Sequence, residues 1–270
     1  MRTRLFGRTG REVAIVGQGT WPVPEVAALR RGLALGMTHI DTAEMYGDGR
    51  SEELVGEAIR GFPRERLFLV SKVLPENGTG KRLMRACEAS LRRLGVDELD
   101  CYLLHWRGRP DLAETMAGLE ELLRLGRVRS IGVSNLDPWD LREARASLTR
   151  EAIACDQVLY NLLERTPEAH ELPWTERHGA AFVAYTPLGG LPQHRTALQP
   201  IADRHGVDAS TVALAFLLRQ PNAFVIPKAA TIAHVEANAR AADLELSAEE
   251  IAAIEAISPM RARVGALPMN

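Results

Sequence analysis

Residues 67–72 read Leu-Phe-Leu-Val-Ser-Lys, an apolar run that stops on a lysine. An ammonium at the end of so apolar a strand needs a partner, because an unpaired charge out of water is costly. The same pattern recurs on either side. Upstream, Thr-His-Ile-Asp ends on Asp41; downstream, Cys-Tyr-Leu-Leu-His ends on His105. Taken singly, each residue reads as an ordinary turn, cap or core position. Taken together, three consecutive strands end in an acid, a base and an imidazole, which turn chemistry does not explain.

Further out, short strand-like runs alternate with helix-like stretches along the whole chain. A ribbon opens it, with Arg-Leu-Phe-Gly and Arg-Glu-Val-Ala-Ile-Val flanking a turn at Arg8-Thr9-Gly10. Strands are expected at Val16–Gly19, His39–Asp41, Leu67–Lys72, 101–106, 128–135, 154–161, 180–186 and 223–227. Helices are expected at Val23–Leu35, Ser51–Arg60, Lys81–Leu94, Leu112–Leu125 and Trp139–Leu148, then around Glu168–His178. Thr196–His205, Ala209–Arg219, Ile232–Ala242 and Glu249–Ile257 complete the helical set. Ser51 reads as an N-cap ahead of Glu52 and Glu53, and Gly126 as a helix stop. Ser247 with Glu250 three residues on reads as a capping box.

Eight strands alternating with helices suit a closed barrel or an open doubly wound sheet. The spacing is even, with no break in composition. Polar residues cluster after the strand ends: Asp41, Lys72, His105, Ser134, Asn135, Tyr160, Asn161, Tyr185 and Lys228. Barrels carry their chemistry on that face. Gly17-Gln-Gly19-Thr-Trp lacks the third glycine of a dinucleotide-binding turn. The expectation is one (β/α)8 (TIM) barrel domain over residues 1–270, α/β in class, with an N-terminal β-hairpin cap and extra helices.

The 270 residues are 46% hydrophobic and 25% charged, with a formal net charge of −2. That is an ordinary globular composition without the basic excess of a nucleic-acid binder. Arg82, Arg85, Arg92 and Arg93 read as the solvated face of a helix. Cys87, Cys101 and Cys155 show neither CxxC spacing nor an obvious pairing, which fits small core residues in a reducing cytoplasm. The start, Met-Arg-Thr-Arg-Leu-Phe-Gly, has no apolar leader segment, and no run approaches the length of a membrane span. A cytoplasmic protein is expected. Its oligomeric state stays open, with a monomer compatible.

Tyr46, just after Asp41, makes chemical sense of the three strand ends. A phenol titrates near 10 and is a poor acid at neutrality. An adjacent Lys72 ammonium would stabilise the phenolate and pull that value down, while Asp41 keeps the lysine charged and oriented. His105 could donate to the substrate oxygen or help place the proton. Such a set suits delivery of a proton to a carbonyl oxygen as hydride reaches its carbon. Gly132-Val-Ser134-Asn135-Leu136 lacks the second glycine of a nucleophile elbow. His170 and His178 have no third ligand at metal spacing and read as surface residues; no metal site is expected.

Seven segments occur in the order found in aldo-keto reductases: DTAEMYG (41–47), LVSKV (69–73), LLHW (103–106), IGVSN (131–135), DQVLYN (156–161), AYTPLGG (184–190) and IPKA (226–229). The chain resembles short bacterial-type members of that family from Gly17 to Asn238. The resemblance implies NADPH, or NADH, across the C-terminal face of the barrel, small aldehydes and ketones as substrates, and Asp41, Tyr46, Lys72 and His105 as a catalytic tetrad with Tyr46 as general acid. It implies Ser134, Asn135 and Gln157 at the nicotinamide carboxamide and Tyr185 stacked on its ring. Pro187, Leu188 and Gly189 fall along the pyrophosphate, where glycine permits close approach. Gly19, Thr20, Trp21 and Asp41 fall near the nicotinamide, with Ile226, Lys228, His234 and Asn238 towards the adenosine. Trp21, Tyr46, His105 and Trp106 are implied at the substrate.

The chain departs from the family pattern after IPK, where Ala229 and His234 replace a common Ser and Arg. A neutral imidazole is a poorer phosphate partner than a guanidinium fork. NADPH binding with weakened discrimination against NADH is therefore expected. Asp156 replaces a common Asn, with local effects only. Arg107–Pro110, Gly189–Thr196 and the tail after Ile257 are short, implying a shallow pocket bordered by Trp21, Trp106 and the C-terminal residues, and broad specificity. Two other readings compete: a Schiff-base aldolase using Lys72, and a slow redox-sensing or channel-associated subunit that keeps barrel and cofactor.

Overall fold

A computed structural model describes residues 1–263 and 265–269. Strands β1 (Thr3–Leu5) and β2 (Glu12–Ala14) pair antiparallel as a hairpin. The main sheet then runs in chain order through β3 (Gln18–Gly19), β4 (His39–Asp41), β5 (Phe68–Val73), β6 (Cys101–Leu104), β7 (Ile131–Ser134), β8 (Ile153–Leu159), β9 (Ala181–Tyr185) and β10 (Ala223–Val225). Every neighbouring pair is parallel. The first and last strands close the ring: Gly17 N donates to Val225 O at 2.8 Å, Val225 N to Ile15 O at 2.9 Å and Gly19 N to Pro227 O at 3.2 Å. A side chain at Gly19 would put its Cβ 2.4 Å from the Ile226 carbonyl oxygen, so closure requires glycine there.

The hairpin explains the sealed floor. Phe6, fully buried at the end of β1, meets Phe68 at 4.6 Å, Phe224 at 5.0 Å and His39 at 5.7 Å between ring centroids. His39 is enclosed by these rings, and burial drives its pKa down to about 3, so it is a neutral core residue. Outside the strands lie α1 (Val26–Ala34), α2 (Arg50–Ile59), α3 (Gly80–Leu94), α4 (Leu112–Arg124), α5 (Pro138–Ser147), α6 (Glu171–His178), α7 (Leu191–His205), α8 (Ala209–Leu217), α9 (Ile232–Arg240) and α10 (Ala248–Ile257). Their apolar stripes pack on the outward faces of the strands, as in the helix spacing of Leu83, Cys87, Leu91 and Leu94. Among the described residues, no helix is long and apolar enough to cross a membrane.

Several boundaries differ from expectation for identifiable reasons. Helix α1 begins at Val26 instead of Val23, since Pro24 holds Val23 out of helical geometry. Helix α7 begins five residues earlier than expected: Pro192 falls in its first turn, where no N–H is needed, and Pro200 is carried inside it. The loop after β9 is correspondingly shorter. Ser51 is not an N-cap. Helix α2 starts at Arg50 with Gly49 as cap (φ 87°), and Ser51 is buried, donating to Thr20 O at 3.1 Å. Arg93 does not face solvent with Arg82, Arg85 and Arg92; its Nε meets buried Glu52 at 2.6 Å. His178 is half-buried against Trp174, whereas His170 is exposed. The Ser247–Glu250 capping box is present.

Candidate active site

The end of β4 supplies Asp41, the end of β5 Lys72, and the residue after β6 His105. Parallel register aligns these ends, pairing Asp41 with Val70 and Lys72 with Leu103. Tyr46 comes in from the β4–α2 loop. That loop is stitched down at several points. Thr20 Oγ donates to Asp41 O at 2.9 Å, and Ser51 N to Tyr46 O at 3.1 Å. Glu44 Oε1 accepts from Leu74 N at 2.7 Å and Asn77 Nδ2 at 3.0 Å, tying the loop to the chain beyond Lys72.

Lys72 is fully buried, and its Nζ donates to Asp41 Oδ1 at 2.5 Å, Thr42 O at 3.0 Å and Tyr46 Oη at 3.2 Å. An ammonium has three protons, so all are committed. Burial opposes its charge, but Asp41 and Tyr46 outweigh burial and the pKa lies above the ordinary lysine value. An imine-forming lysine must be neutral and reachable, so this geometry removes the aldolase reading. The second oxygen of Asp41 accepts from Gln157 Nε2 at 2.7 Å. Burial holds the Asp41 carboxyl above the ordinary range, with Lys72 and Gln157 opposing the shift without reversing it.

Tyr46 carries a correction. Lys72 does lower its pKa, but burial is the larger effect and the net value lies above that of a free phenol. The hydroxyl therefore stays protonated. Because its oxygen accepts from Lys72, its own proton can point into the cleft. The Tyr46 ring lies 5.3 Å from Trp21 and 5.7 Å from His105, and His105 lies 4.7 Å from Trp106. Burial and then the Lys72 charge drive the His105 pKa down to about 2, so the imidazole is neutral. Its Nδ1 is buried without a hydrogen-bond partner among the described residues. An orphaned lone pair costs less than an orphaned N–H, which leaves Nε2 as the ring's donor.

These groups border a cleft of about 880 Å³, within the size range of cofactor sites. Its wall holds Gly19, Thr20, Trp21, Asp41, Tyr46, His105, Trp106, Ser134, Asn135, Gln157, Tyr185, Pro187, Leu188, Gly189, Ile226 and Lys228. Ser134 Oγ donates to Gln157 O at 2.8 Å. Asn135 Nδ2 donates to His105 O and Ser134 Oγ, both at 3.1 Å, while Oδ1 accepts from Tyr185 Oη at 2.9 Å. A carbonyl oxygen has two lone pairs, so Asn135 Oδ1 can take one further donor. Among the described residues, Lys228 is the one lysine or arginine in this wall. A flat amide-bearing ring on a phosphate chain fits the donor set: side-chain amides, a tyrosine face, the Pro187–Gly190 turn and a lysine.

Two expected contacts lie outside the wall. His234 is exposed near the start of α9, and Asn238 is buried with no partner for its Nδ2 among the described residues. Met45, Thr186, Gly190, Pro192, Gln193, Pro227 and Met269 line the cleft without having been singled out in the sequence. Most adjoin residues in the quoted segments and could have been found that way. Met269 accords with the expectation that C-terminal residues border the pocket, although nothing local in the sequence picks out that particular residue.

The family model described as "Aldo/keto reductase family" matches residues 19–259. A curated relative, "Methylglyoxal reductase YeaE" of Escherichia coli (strain K12), is 45% identical over 258 residues, covering 90% of each chain. Among solved structures, an aldo/keto reductase from Klebsiella pneumoniae in complex with NADP and acetate superimposes with a TM-score of 0.91 at 42% identity, covering 100% of both chains. A Klebsiella pneumoniae aldo-keto reductase in complex with NADPH gives 0.91 at 43% identity, covering 100% of this chain and 99% of that one.

Proposed function

The chain belongs to the aldo/keto reductase family, and on that premise we propose that it reduces small aldehydes and ketones to alcohols with NADPH, Tyr46 delivering the proton. One observation carries this reading. The Tyr46 hydroxyl stands in the cleft wall, accepts from a fully buried Lys72 at 3.2 Å, and retains a proton to give. When bound, NADPH supplies hydride to the carbonyl carbon. Tyr46 passes its proton to the carbonyl oxygen, and Lys72 stabilises the phenolate left behind. Asp41 keeps Lys72 charged and in place. Neutral His105 donates a hydrogen bond to the same oxygen and orients the carbonyl. Trp21, Met45 and Trp106 exclude water from that end.

Ser134, Asn135 and Gln157 would hold the carboxamide, Tyr185 the ring face, and Pro187–Gly189 the phosphates. Gly19 and Ile226 would leave room for backbone approach, and Lys228 would meet the 2′-phosphate, with His234 and Asn238 on α9 beyond it. Ala229 and His234 add no permanent charge there, so discrimination against NADH is modest. Methylglyoxal is the first substrate to try, given the name of the Escherichia coli relative.

The test is a fluorescence titration with NADPH and NADH, followed by carbonyl reduction by wild type and Tyr46→Phe. NADPH binding is expected to persist in the variant while turnover falls at least ~100-fold. Full activity in Tyr46→Phe would refute the proton donor. The ratio of dissociation constants for the two cofactors is expected below ~1,000, equivalent to ~4 kcal/mol.

A further inference from the structure

The chain beyond α10 returns to the barrel and is fastened at two places. The first is at the helix end. Ser258 Oγ donates to Leu162 O at 2.5 Å, and Arg165 Nη1 donates to Ser258 O. The second is Arg263, whose Nη1 donates to Glu171 Oε1 at 2.7 Å while Nη2 meets the other carboxylate oxygen. Glu171 opens α6 and has no exposed surface, and the Arg263 side chain is 11% exposed. Two parallel bonds from a planar fork fix direction as well as distance. Beyond this point Leu267 packs on the core and Met269 stands in the cleft wall.

We propose that the Arg263–Glu171 pair positions the C-terminal strap so that Met269 closes one side of the cleft, and so sets the size of carbonyl that the site accepts. The inference rests on the carbonyl-reductase reading above. Three features support it. A carboxylate without access to water has no substitute for the guanidinium, so the strap cannot lift without stranding Glu171. Fully buried Asp156, on β8, is met by the Leu136 backbone N–H and feels the charges of Glu171 and Arg263. Losing the guanidinium would therefore remove the positive charge that opposes the repulsion between these two carboxyls. Chain reach gives the third. From Arg263, six residues let Met269 wander roughly 20 Å; from Ser258, eleven residues allow nearly twice that. The pair thus confines the wall residue to a much smaller volume.

Arg263 is a positioning residue in this account, since it touches neither cofactor nor carbonyl. Wild type, Arg263→Met, the charge-free double variant Arg263→Met/Glu171→Gln, and Met269→Ala would be compared. The double variant leaves no stranded carboxylate at Glu171 and covers the case in which Arg263→Met fails to fold. Amide hydrogen exchange of residues 259–269, NADPH binding, and KM and kcat for methylglyoxal and for bulky 4-nitrobenzaldehyde would be measured. In the double variant, exchange of the tail is expected to quicken at least tenfold. The KM ratio of small to bulky substrate should rise at least threefold, with NADPH affinity unchanged. Met269→Ala should reproduce the KM shift while leaving tail exchange slow. A lower melting temperature with an unaltered KM ratio would make the pair merely structural and overturn the proposal. A wild type that reduces neither carbonyl would instead refute the reading beneath it, while the exchange data would still report on the strap.

Discussion

Inside the barrel, Lys72 gives all three protons to Asp41, Thr42 and Tyr46, and Asp41 uses its remaining oxygen on Gln157. On the outer face of β8, one residue from Gln157, Asp156 takes a backbone hydrogen bond from Leu136 and feels the charges of the Arg263–Glu171 pair. Successive strand residues point to opposite faces, so two ionic groups of similar composition are built on either side of one strand. They differ in where the cation comes from. Lys72 is anchored in a central strand, whereas Arg263 arrives on the irregular segment beyond α10. A saturated cluster holds reacting atoms in one arrangement, whereas the outer cluster takes its cation from an irregular segment held by a few contacts. Burial of charge alone does not make a site rigid. Which element carries each charge decides it.

The sharpest way to break this comparison is to empty the inner cluster. Lys72→Met leaves the Asp41 carboxylate buried with Gln157 as its remaining partner. Removing one member of a buried pair typically costs ~3–5 kcal/mol. A loss of that size is expected in denaturant unfolding, together with loss of carbonyl reduction. The double variant Lys72→Met/Asp41→Asn should recover part of the stability and none of the activity. An unchanged unfolding midpoint in the single variant would mean that Asp41 is already neutral and that the cluster is no ion pair.

The outer cluster should respond in the opposite sense. Burial holds the Asp156 carboxyl well above the ordinary range, with Glu171 adding to the effect and Arg263 opposing it. Raised folded-state values carry a definite sign. Below the unfolded carboxyl value, near 3.9, both states are protonated and nothing is lost. As pH rises towards the folded value, the unfolded chain ionises first and stability falls. Asp156→Asn does not titrate, so with Asp156 protonated in the folded protein it should be more stable than wild type by up to ~4 kcal/mol at pH 7. The gain should shrink towards zero near pH 4 and widen by ~1.4 kcal/mol per pH unit above about pH 5. A gain independent of pH would show that Asp156 is ionised in the folded protein, with Arg263 serving both carboxyls.

This contrast also separates what could be read in the sequence from what could not. Lys72, Asp41 and His105 were legible because each interrupts an apolar strand at the end where barrels carry chemistry, and the strand order then makes them neighbours. Tyr46 was legible through acid–base logic, but the direction of its pKa was not. Lys72 can be foreseen from adjacency, whereas the opposing burial is a property of the assembled walls. Ser51 looked like a cap because capping is local, and its burial against Thr20 is not. The Arg263–Glu171 pair spans 92 positions and carries no periodic or spacing signal. The sequence suggests that C-terminal residues border the pocket, but not which contact holds them there. Local chemistry is written in local sequence; contacts between distant segments require the fold.

The smallest expected effect is an absence of change, and it tests the inner cluster most closely. A reductase that relied on a charged imidazole would lose kcat/KM as pH rose through about 6.5, the ordinary histidine value. Here His105 is held neutral, its pKa driven down to about 2 by burial and by Lys72. Tyr46 lies above the ordinary phenol value and Lys72 above the ordinary lysine value, so both keep their protons beyond pH 9. A plot of kcat/KM for methylglyoxal against pH should therefore be flat from about pH 6 to 9, falling only on the alkaline side as Tyr46 ionises. His105→Gln, which keeps a neutral donor without a titrating ring, should lower the plateau and leave its shape alone. An inflection near pH 6.5 in wild type that vanishes in His105→Gln would mean that the ring gains a proton in the working enzyme. The inner cluster would then also contain a group free to change state, and its contrast with the outer cluster would no longer hold.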